Sequence, residues 1–128
     1  MNNKETIISL LNEFANPKKM ASFFVENATP DFLFIRPSGN PIDAKEFEKM
    51  ITGDIVQEKA EKTKIHQFEF LSENIVMCIF TLVSKFTYKG TLNDDLPTVT
   101  SILKKVNNVW KILWMQRSTG NLDLSLWD

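Results

Sequence analysis

From Ile55 onward the chain changes its hydrophobic period. Apolar residues at helical spacing give way to long runs of β-formers, broken only at Ser72-Glu-Asn74, across residues 90–97 and at Asn107-Asn108. Breaks this short leave no room for the crossovers that parallel strands need. Strands over about residues 56–71, 75–89, 97–106 and 109–118 are therefore predicted to follow one another as an antiparallel meander. Residues 119–128 form a C-terminal tail outside the sheet, and no repeat or linker divides the chain, so residues 1–128 read as a single domain.

Upstream, Ile7, Ile8, Leu10, Leu11 and Phe14 recur on one helical face, and Asn2 with Glu5 three residues later can cap its start. Pro17 suits the first position of a second helix, with Asn16 as its N-cap, Met20, Ala21, Phe23 and Phe24 inward, and an end near Asn27. Asp31 to Arg36 reads as a short strand, followed by a turn-rich stretch from Pro37 to Pro41. Asp43 and Glu46 have capping-box spacing for a third helix, with Ile42 and Phe47 as its hydrophobic staple and Gly53 as its terminator. Three helices preceding a meander make an α+β fold with the helices packed on one sheet face. The strand from Ile75 to Tyr88 is apolar on both sides. The helices cover one of them, so the other needs a second subunit or the C-terminal tail, and a homodimer through the outer sheet face is the simpler expectation.

Composition narrows the function. Lys and Arg total 15 against 16 for Asp and Glu, a net charge of -1, which argues against nucleic acid as a partner. One Cys and one His fall short of a zinc set, and Asn93-Asp-Asp95 lacks the spacing and Gly of a calcium loop, so no metal is expected and those three residues read as a solvated turn. Phosphate loops, nucleophile elbows and dinucleotide fingerprints are absent, so no cofactor is expected. No apolar run reaches membrane-spanning length and no basic, apolar leader opens the chain, which predicts a cytoplasmic protein with no membrane partner.

Strict alternation puts His66 on one strand face with Phe68 and Phe70, either as a structural imidazole or as a general acid/base at the mouth of a pocket. Arg36 is in phase with Phe32 and Phe34. It is either an anion clamp or the partner of Asp31, Asp43 or Glu46. Tyr88 falls in phase with Phe80 and Phe86, where its hydroxyl can polarise a carbonyl or bond across strands. In the last strand, alternation puts Trp110, Ile112, Trp114, Gln116 and Ser118 on one face, which lines a pocket or meets a partner subunit. Asp31 and Glu69 are weaker candidates for a base. Cys78, among Val76 and Phe80, reads as core.

The order of elements, with Trp110-Lys-Ile-Leu-Trp-Met-Gln-Arg-Ser118 in the last strand and Arg36-Pro-Ser-Gly39 after the first, resembles the nuclear transport factor 2-like superfamily and its SnoaL-like branch. Trp110, Lys111, Ile112 and Ser118 match the family's closing strand, whereas Trp114 and Gln116 stand where it often has histidines. The resemblance implies a strongly curved sheet closed by the helices into a cone with a central pocket, commonly in a homodimer. It also implies that Trp114 and Gln116 line that pocket beside Arg36 and His66, and strand phase offers Trp110 and Tyr88 as further ligand contacts. The superfamily includes isomerases, lyases, binding proteins and association domains, and a shared fold does not choose among them. The expected function is a cofactor-independent pocket protein for a small apolar, acidic or carbonyl compound, an isomerase or lyase if His66 is catalytic. The alternative is an association module with a vestigial pocket.

Overall fold

A computed structural model describes residues 2–37, 39–53, 55–60, 64–82, 84–88, 90–95 and 97–118, without the side chains of residues 55–60, 84–86, 88 and 92–95. The tail at residues 119–128 lies outside the described residues. Among the described residues, three helices, α1 (Asn3–Phe14), α2 (Phe23–Asn27) and α3 (Ala44–Gly53), accompany nine strands. These are β1 (Ala28–Arg36), β2 (Gly39–Ile42), β3 (Ile55–Ala60), β4 (Lys64–Ser72), β5 (Ile75–Thr81), β6 (Ser84–Tyr88), β7 (Thr91–Asp95), β8 (Thr98–Val106) and β9 (Val109–Ser118). The first six-stranded sheet runs β2-β1-β9-β8-β5-β4, and a second of three strands runs β3-β6-β7.

The meander is present, but its strands are subdivided. The predicted strand at 56–71 is β3 and β4, and that at 75–89 is β5 and β6. Pro97 accounts for the break between β7 and β8: it has no N–H for a ladder, and its carbonyl instead accepts from Leu82 N at 3.0 Å, where β5 gives way to β6. Asn93, Asp94 and Asp95, expected in a turn, lie on β7 opposite Phe86, Lys85 and Ser84. The sheet is also mixed rather than wholly antiparallel, because β1 runs parallel to β9. Helix α3 and the meander separate those two strands in sequence, so a long connection, absent between meander neighbours, is available.

At α1, Asn2 Oδ1 accepts from Glu5 N at 2.8 Å, and at α3, Asp43 Oδ1 accepts from Glu46 N at 2.8 Å while Glu46 Oε1 accepts from Asp43 N at 3.2 Å. Both caps thus form as their spacing predicts. The second helix is shorter than expected. Asn16 O accepts from both Lys19 N and Met20 N, so tight turns occupy residues 17–22 and regular helix starts only at Phe23. At the start of β2, Gly39 at φ 86° and Asn40 at φ 45° give the backbone the turn by which Gly39–Ile42 pairs back on β1. Asn107 and Asn108, both at positive φ, close the two-residue β8–β9 hairpin.

The core lies between the helices and one face of the six-stranded sheet. Phe24 sits at its centre, stacked on Phe32 at 4.3 Å, edge-on to Phe47 at 4.6 Å, and within 5.6 Å of Phe14, Phe23 and Phe34. From the sheet, Val76, Cys78, Phe80, Val99, Leu103, Ile112 and Met115 close this core, all buried.

Candidate site on the helix-side face

Two β-bulges decide where the candidate residues point. In β9, Ile112 pairs with Leu103 but Trp114 pairs with the next residue back, Ile102, so Leu113 is an extra residue. Trp110 and Ile112 therefore share the helix-side face with Met115 and Arg117, while Trp114, Gln116 and Ser118 turn outward with Ile102, Thr100 and Thr98. Continuous alternation would put all five predicted residues together. In β4, Ile65 pairs with Phe80 and Gln67 with Ile79, which leaves His66 as the extra residue. Phe68 and Phe70 then face the core side opposite Cys78 and Val76, and His66 does not share their face as alternation required.

The exposed His66 ring bonds through Nε2 to the Oγ1 of Thr81 at 2.6 Å, and Thr81 Oγ1 lies 3.5 Å from Thr98 Oγ1. Thr81, only 4% exposed, is out of phase with the core residue Phe80, and Thr98 pairs in turn with Ser118. An imidazole and a row of hydroxyls thus cross β4, β5, β8 and β9 on the outward side.

Arg36 lies on the other face. Its phase is that of Phe32 and Phe34, both buried against the helices. Its Nε donates to Asn40 O at 3.2 Å, and its Nη1 lies 3.9 Å from Met50 Sδ on α3. Neither Asp31 nor the Asp43–Glu46 capping box takes this guanidinium, and among the described residues no carboxylate reaches it. Ile35 pairs with Gln116 across the parallel β1–β9 ladder, so Arg36 and Arg117 are neighbours on the helix-side face, on strands about 4.8 Å apart. Sequence reasoning missed Arg117, because without the bulge its phase points outward. Both arginines are half-buried, and Arg117 pairs across the ladder with the wholly buried Val99.

Trp110 sits at the opposite end of the same face, where its Nε1 donates to Asn3 Oδ1 at 3.3 Å, Lys105 Nζ lies 5.9 Å from its ring and Phe70 packs 6.2 Å away. Tyr88 ends β6 opposite Thr91, and its side chain lies outside the described residues. Of the predicted constellation, Arg36 and Trp110 share the helix-side face at its two ends, and Trp114 and Gln116 share the outward one. His66 on β4 is separated from Arg36 on β1 by the three strands β9, β8 and β5. Cys78 is core, and burial pushes its thiol up to about 11 against a smaller opposing pull from Lys4. Among the described residues, no group of three His, Cys, Asp or Glu side chains gathers to hold a metal ion. No helix among them is long and apolar enough to cross a membrane.

The family model described as "Protein of unknown function (DUF3804)" matches residues 2–128. The chain belongs to this family. A crystal structure of an NTF2-like (nuclear transport factor 2-like) protein of unknown function from Prochlorococcus sp. NATL2A is 62% identical. The match covers 99% of this chain and 100% of that one, with a TM-score of 0.91. The NTF2-like, cystatin-like fold is therefore that of this DUF3804 protein. More distant structures share the fold alone. One is a putative Ca/calmodulin-dependent kinase II association domain from Exiguobacterium sibiricum, 17% identical, covering 94% of this chain and 96% of that one at a TM-score of 0.71. Another is a ketosteroid isomerase-like protein from Erwinia carotovora atroseptica, 13% identical, covering 91% and 92% at a TM-score of 0.71. No curated protein matches.

Proposed function

We propose that this DUF3804 protein binds a small molecule bearing a carboxylate, held by Arg36 at the margin of the helix-side face, in a pocket that the sheet and helices would form there. The observation that carries this reading is a half-buried guanidinium whose described partners are one carbonyl and one thioether. A thioether is a weak acceptor, so much of the hydrogen-bonding capacity of Arg36 is left for a better one. With Nε held by Asn40, the two Nη groups present the fork that matches a carboxylate, and the neighbouring Arg117 adds positive charge. Binding rather than proton transfer is the function proposed, because His66 is engaged with Thr81 on the outward side, three strands from Arg36.

Thermal melts with acetate, benzoate and succinate, each beside its amide, test this. Ligand binding stabilises the folded state by about 2.7 kcal/mol at one hundred times Kd. At least one carboxylate is expected to raise the melting temperature where its amide does not, and Arg36→Gln to abolish the rise. Equal shifts with carboxylate and amide, or an undiminished shift in Arg36→Gln, would overturn the proposal.

A second reading, association with another copy of the chain, is favoured by a separate observation. Leu33, Trp114, Ile102 and Met77 stand side by side across β1, β9, β8 and β5 on the outward face, none of them buried. An apolar row of this kind fits a homodimer interface. Sedimentation at micromolar concentration is expected to give a dimer; a persistent monomer would remove this reading and leave the first standing.

A further inference from the structure

We infer that Met50 is a peroxide-sensitive modification site whose oxidation takes Arg36 away from its anion. This inference rests on the carboxylate-binding reading of Arg36. Met20 and Met115 are buried, whereas Met50 and Met77 are only partly buried, which makes them the more accessible to a small oxidant. Met77 faces outward from β5 opposite Ile102 and Glu69, while Met50 Sδ lies 3.9 Å from Arg36 Nη1.

With hydrogen peroxide as the oxidant, a sulfur lone pair attacks one peroxide oxygen. The S–O bond forms as the O–O bond breaks, and the departing hydroxide, taking up the proton of the transferred oxygen, leaves as water. Sulfur loses two electrons and the peroxide gains them. The product carries a strongly polarised oxygen where the thioether offered only a weak acceptor. That oxygen is within reach of Nη1 and accepts a charge-assisted hydrogen bond from it. Arg36 cannot easily swing clear, because its Nε is held by Asn40 O in a turn fixed by the positive φ of Gly39 and Asn40. Sulfoxide and ligand then compete for one edge of the guanidinium, and enzymatic reduction of the sulfoxide restores the site.

The test treats the full chain with hydrogen peroxide, maps the added oxygen by peptide mass spectrometry, and follows benzoate binding together with the Arg36 Nε–Hε resonance. Oxidation at Met50 is expected to shift that resonance and weaken benzoate binding at least fivefold. Met50→Leu should keep its own affinity and its own resonance through the same treatment, although Met77 remains oxidisable in it. If Met50 is oxidised and both readouts stay put, or if Met77 reacts and Met50 does not, the inference is overturned. If untreated protein binds no benzoate, the carboxylate reading fails for this probe. The resonance then still decides whether the sulfoxide captures Arg36.

Discussion

On the helix-side face, the row from Phe34 through Met115 and Ser101 to Cys78 is closed to solvent. One residue along each strand, the outward row from Leu33 through Trp114 and Ile102 to Met77 stands partly open, with Leu33 43% exposed. The same four strands supply both rows, so the contrast isolates what each face is for. The closed row admits one polar side chain, Ser101, whose Oγ donates to Cys78 O at 2.9 Å, as a dry interior requires. The open row is bordered by Thr98, Thr100, Gln116 and Gln67, which an interior could not take unpaired. Stability resides in the first face, and the second carries apolar side chains that this chain does not bury. Arg36 belongs to the first face by phase but is only half-buried, which keeps it within reach of the carboxylate proposed for it.

The hardest blow to this contrast should be Phe24→Ala, which removes the ring on which Phe32 stacks and around which Phe14, Phe23, Phe34 and Phe47 gather. A loss of about 3–5 kcal/mol in denaturant unfolding is expected. A loss below about 1 kcal/mol would mean that the helix-side core is not where the stability lies.

The closed face should also reveal itself through alkali. Cys78 has its thiol raised to about 11 by burial, against an ordinary value of 9.0. The native state therefore keeps its proton longer than the unfolded chain does, and stability falls as pH rises from about 9 to 11, by roughly 2–3 kcal/mol at the upper end. Unfolding measured across that window in wild type and Cys78→Ala should show the slope in the first and a reduced slope in the second. Parallel slopes would assign the alkaline loss to other groups.

Much of this arrangement was legible in the sequence and some was not, for a definite physical reason. Capping pairs such as Asn2–Glu5 and Asp43–Glu46 are local, so their spacing suffices. That Val76, Cys78 and Phe80 share one face follows from the period of a single strand, although a strand apolar on both sides does not say which face the helices bury. A bulge breaks that logic, because one inserted residue reverses the phase of everything beyond it and leaves no mark in composition. Leu113 and His66 are such residues, and with them went the predicted company of Trp114, Gln116 and His66. Pairing of β1 with β9 was likewise invisible, since it joins segments more than seventy residues apart.

Outward, Leu33→Asp should leave the folded monomer nearly as stable as before while weakening self-association tenfold or more, about 1.4 kcal/mol. Sedimentation over a concentration series reads the association, and denaturant unfolding the fold. A variant that unfolds readily, instead of dissociating, would show that Leu33 serves the core rather than a partner.

The finest discrimination comes from two adjacent residues of β8 that point to opposite faces. Ser101 is wholly buried and bonded to Cys78 O, whereas Thr100 is half-exposed between Ile79 and Gln116. Ser101→Ala removes a buried hydrogen bond and is expected to cost about 1 kcal/mol. Thr100→Val keeps the β-branched shape that suits a strand and exchanges a wet hydroxyl for a methyl. Its expected effect on monomer stability is within about 0.5 kcal/mol. Urea unfolding of the two variants at low protein concentration measures the difference without contribution from a dimer. If Thr100→Val cost as much as Ser101→Ala, the outward hydroxyl would hold the fold together no less than the buried one. The division of labour between the two faces would then not hold at this strand.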